Sequence, residues 1–144
     1  MKPFKNLSED EYKMLLKFPA YISLLAANHD GKLDEVEKKS AIKFAHIKTF
    51  TCNPLLIDFY EEVDKVFERN IVELDLELPK GKENRDKAIK SELLKLENIV
   101  IKSGRVYTST MFESMLSFKD HVSKAHNNVL VDFVFPLSIK GYRI

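Results

Sequence analysis

Residues 20–27 read AYISLLAA and are apolar almost all the way round a helix. A helix with no water-facing side has to be enclosed by other elements. That requirement, more than any motif, limits what the chain can fold into. The enclosing elements are expected to be helices too. Glycine (4) and proline (5) are scarce among the 144 residues, and an all-β fold needs many more turns than they supply. The length suits one domain with a substantial core and is short for two. The expectation is an all-α, single-domain bundle of six or seven helices over residues 1–144.

Capping residues mark where those helices begin. Ser8 and Glu11 have capping-box spacing: the hydroxyl accepts one backbone N–H while the carboxylate reaches back to another. Pro19 either ends the first helix or opens the apolar one, where its missing N–H costs nothing. Asp34 and Glu37 repeat the capping-box spacing ahead of a helix expected to turn Val36, Phe44 and Ile47 inward and Lys38, Lys39 and Lys43 outward. Asn53-Pro54 starts another helix, with Leu55, Leu56, Phe59, Val63, Val66 and Phe67 at helical spacing.

The stretch NIVELDLELP, residues 70–79, is ambiguous. Val72, Leu74, Leu76 and Leu78 alternate with polar residues as in a strand, yet Phe67, Ile71, Leu74 and Leu78 also continue a helical stripe. A lone two-stranded ribbon is marginal, so a helix fraying before Pro79 is expected. The charged GKENRDKAIK then leads into a helix with Ile89, Leu93, Leu96 and Val100 on one face. Thr108 or Ser109 is expected to cap a last long helix, with Met111, Met115, Phe118, Val122 and Ala125 as core packing. The tail NNVLVDFVFPLSIKGYRI is read as a short helix ended by Pro136, with an extended segment as the alternative.

Two stretches echo each other. Asp30-Gly31-Lys32-Leu33 and Ser103-Gly104-Arg105-Val106 both follow an apolar helix and precede a capped one. The pattern suggests two pseudo-repeated halves, with glycine supplying a positive φ and the aliphatic residue plugging back on the core.

The first of these turns is also the candidate site. In residues 26–37, AANHDGKLDEVE, an EF-hand frame puts Asn28, Asp30, Gly31, Leu33, Asp34 and Glu37 in order, but Ala26 stands where the first ligand belongs. The second echo has no carboxylate, so a paired EF-hand is not expected. Helix capping and the positive end of the helix dipole explain the same acids without a ligand. Between these lies a weak divalent-cation or basic-partner site at Asp30, Asp34 and Glu37, whose crowded carboxylates repel unless a cation sits between them.

PAYISLLAANHDGKLDEVEKKSAI resembles the tellurite-resistance TerB-like family, which carries a small-residue helix, a DG-x-aliphatic turn and an acid-rich helix start. The likeness runs on through NPLLIDFYEEVDKVF, LPKGKENRDKAIKSELLKLENIV and MFESMLSFKDHVSKA, about residues 10–126. It implies an all-helical domain of two related halves, a place in tellurite and chemical-stress responses, and an acidic metal patch at Asp30, Gly31 and Glu37 with Asp34 beside them. Ser103 stands where an Asp would complete the second lobe. The family brings no known reaction.

Other chemistry is poorly represented. His29, His46, His121 and His126 lack metal-ligand spacing, and the single Cys52 excludes an internal disulfide or a thiolate zinc cage. No nucleophile elbow, phosphate loop or dinucleotide fingerprint occurs. Asp58 and Glu62 lie one helical turn apart, either as a solvated face or as an acid/base couple of a bundle enzyme. The stretch Lys80, Lys82, Arg85, Lys87, Lys90 is interleaved with acids and lacks aromatics, and the net charge is +1, so nucleic acid is not an expected partner. No signal core or membrane span is evident, which makes the cytoplasm the simplest location. The expected function is that of a non-enzymatic stress-response interaction module with an unidentified protein partner. The alternatives are a degenerate calcium module and, further off, a bundle-carboxylate enzyme.

Overall fold

The computed structural model describes residues 6–27 and 33–124, and among them every regular element is helical. The helices are α1 (Glu9–Leu15), α2 (Phe18–Ala26), α3 (Glu35–Thr51), α4 (Ile57–Glu77), α5 (Lys82–Val100) and α6 (Arg105–Lys124). Short 3-10 turns at Pro54–Leu56 and Ile101–Ser103 lead into α4 and out of α5. No helix among the described residues is long and apolar enough to cross a membrane. The tail from residue 125 onward lies outside the described residues, as does the Asp30-Gly31 half of the echo.

The apolar helix is enclosed as expected. Every residue of α2 is buried, and α6, α4, α5 and α3 all pack against it. The buried Ser23 hydroxyl donates to the carbonyl of Pro19 at 2.8 Å, so it finds its acceptor within the helix itself. Pro19 sits in the first turn of α2 rather than ending α1. A single apolar cluster then gathers residues from every helix, from Leu15 on α1 to Val122 on α6.

Local chemistry sets the boundaries. Ser8 and Glu11 form the capping box, each backbone N–H at 3.0 Å from the other's side-chain oxygen. Asn53 Oδ1 accepts from Leu55 N–H at 2.9 Å and starts the turn into α4. That helix runs unbroken through the ambiguous stretch: Ile71 and Leu74 are buried while Val72 and Leu76 are exposed. Helical periodicity overrides the alternation there, because no strand among the described residues stands beside it to pair.

Three expectations are corrected. On α3 the inward residues are Glu37, Ala41 and Ala45, with Phe44 half-buried; Val36 and Ile47 face water. The small alanines let α3 approach closely, and the Glu37 carboxylate folds back over the helix start, so the apolar stripe is out of phase with the buried one. On α6 the helix starts at Arg105, three residues before Thr108. Thr108 instead lies inside the first turn and donates to the carbonyls of Gly104 (2.7 Å) and Val100 (3.1 Å). Gly104 does take the positive φ (95°), but Val106 is 64% exposed and plugs nothing.

Arg85, which the sequence groups with a basic stretch interleaved with acids, is only 1% exposed. Its guanidinium donates to Asp75 Oδ1 (2.7 Å), to the Asp75 carbonyl (2.7 Å) and to the Pro79 carbonyl (3.0 Å). Carbonyls at the end of α4 have no partner within the helix, and the planar fork of arginine suits several of them at once. Lys80 Nζ adds a bond to the Asp75 carbonyl at 3.0 Å. The corner between α4 and α5, turned at Gly81 (φ 93°), is thus closed by a side chain from the first turns of α5.

In the core, the Tyr60 and Ser114 hydroxyls are hydrogen-bonded, joining α4 to α6. Burial holds the Tyr60 phenol well above its ordinary value of 10.0. Tyr21 is pushed up to about 12, first by burial and then by Glu92 and Glu77.

Arg85→Met is expected to lower unfolding free energy by about 2–4 kcal/mol, since three charge-assisted bonds go while the partly exposed Asp75 rehydrates. Urea denaturation reads this, and Arg85→Lys should recover little, since an ammonium cannot span the same acceptors. The tyrosines predict alkaline weakening. With folded-state values raised, their stabilisation is complete below the unfolded value of 10.0 and is lost as pH rises beyond it. Tyr60→Phe should cost about 1 kcal/mol at neutral pH and flatten the decline of urea midpoint above about pH 10.

Candidate functional site: the first turn and the outer α3–α4 face

Asp34 is extended (φ −94°, ψ 171°), the conformation of a cap residue, and its Oδ1 accepts from Glu37 N–H at 2.8 Å. Glu37 Oε1 accepts from Asp34 N–H at 3.1 Å, which completes the box. The structure therefore brings Asp34 and Glu37 together as expected. Glu37 is 1% exposed and Asp34 half-buried. Asp30, the third residue of the expected acidic set, lies outside the described residues. Ala26, the first position of the EF-hand frame, is a core residue at the end of α2. Among the described residues, no group of three His, Cys, Asp or Glu side chains is arranged to hold a metal ion.

The other chemical candidates occupy plain structural settings. Asp58 is exposed and Glu62 half-exposed, the latter ion-paired with Lys65 at 3.0 Å. Cys52 follows α3 as its last cap, and burial pushes its thiol up, away from the thiolate. Burial likewise lowers the Lys48 ammonium, which lies 5.4 Å over the Phe44 ring. His121 stacks on that ring at 4.2 Å. His29 and His126 fall outside the described residues.

The feature sequence reasoning missed is the outer surface of α3 and α4. These helices are joined by a short connection and pack along each other, as short connections favour for antiparallel neighbours. His46 Nδ1 donates to Asp64 Oδ2 at 2.9 Å across the pair. Counting in helical steps from this bridge, Val36, Lys39, Lys43 and Phe50 share the face of His46. On α4 Ile57, Glu61, Lys65, Glu68, Val72 and Leu76 spread over the solvent side that starts at Asp64, Leu76 lying about 120° round the helix from it. Phe50 is 77% exposed, Leu76 73% and Val36 55%, so large apolar side chains stand in water at both ends of a charged strip. One signal was present: Val36 and Phe50 fall on the stripe of Lys39 and Lys43, not on the Ala41 and Ala45 stripe.

Asp34→Ala and Glu37→Ala are each expected to cost about 1 kcal/mol in chemical denaturation, whereas Glu37→Gln, which still caps, should retain most of it. No protein-family model, no curated protein and no solved structure matches the chain.

Proposed function

We infer that the chain is a non-enzymatic helical interaction module of the TerB-like stress-response kind, working through its outer α3–α4 face. The observation that carries this reading is the exposure of Phe50 and Leu76, 77% and 73%, on one charged surface. Exposed apolar side chains stand at the two ends of this face, Phe50 and Ile57 at one and Val36 and Leu76 at the other; contiguous apolar surface marks interaction sites, whereas isolated side chains need no explanation. The stress-response role rests on the resemblance of PAYISLLAANHDGKLDEVEKKSAI to that family. The non-enzymatic side is supported by an exposed Asp58 and a half-exposed Glu62 paired with Lys65, since an acid/base couple works best enclosed from solvent.

A weak divalent-cation site at Asp30, Asp34 and Glu37 is the second reading, favoured by the convergence of Asp34 and Glu37 on one turn. Glu37→Gln separates it from capping, because the amide keeps the cap and removes the charge a cation would need.

The test is complementation in the native host. Wild-type chain is expected to restore tellurite tolerance to cells lacking it, and a Phe50→Asp, Leu76→Asp chain is expected to fail despite an unchanged circular dichroism spectrum. Asp58→Asn, Glu62→Gln should restore tolerance fully. Loss of rescue in that variant, with the fold intact, would put the enzyme reading in place of this one.

A further inference from the structure

We draw no further inference here: the strongest candidate, the exposed surface along α3 and α4 that carries Phe50 and Leu76, carries nothing, because nothing in the structure shows what covers it.

Discussion

The fold is organised by one helix that has no side it can show to water. With every residue of α2 buried, the surrounding helices are fixed in kind: each needs one apolar stripe to meet α2 or its neighbours and one polar face for solvent. The hydrophobic gain is of order 25 cal/mol per Å² of apolar surface removed from water, and α2 draws on it all round. What remains for the sequence to specify is where each helix starts, where it stops, and how the chain turns between them.

Polar groups do that specifying. Side-chain oxygens of Ser8, Asp34 and Asn53 take up backbone N–H groups at helix starts, and Arg85 takes up carbonyls at a helix end. A buried guanidinium is costly unless its donors are satisfied, and here the acceptors are groups that would otherwise need water. Arg85 lies on the Ile89, Leu93 and Leu96 stripe of α5, whose members are buried; its methylenes therefore enter the core while its head reaches the corner.

Much of this was legible in the sequence because it is local. A cap involves residues three apart, and an apolar helix announces itself in eight. The exceptions show where locality fails. Residue type alone places Glu37 outside, although its cap turns it inward; it places Ala41 and Ala45 as neutral, although their smallness lets α3 sit close. Arg85 reads as one more cation in a charged run, and only its spacing of four from Ile89 hints otherwise. Likewise, the pairing of Asp34 with Glu37 follows from capping-box spacing, whereas the outer face exists only once His46 and Asp64, eighteen positions apart, are brought together. Tertiary packing creates that surface; no single segment contains it.

The tie between Glu11 and Lys102 joins α1 to the turn after α5 across 91 positions, while Arg85 grips Asp75 across only 10. Closing a longer stretch of chain forfeits more freedom, and the Glu11 contact is at the surface, where water competes for both partners. The α4–α5 corner is therefore a locally self-sufficient hinge, and the short α1 is the piece whose detachment disturbs the remainder least. Fluctuations in the native protein should peel it away first, exposing Leu15 and the start of α2 to solvent while the other helices hold together.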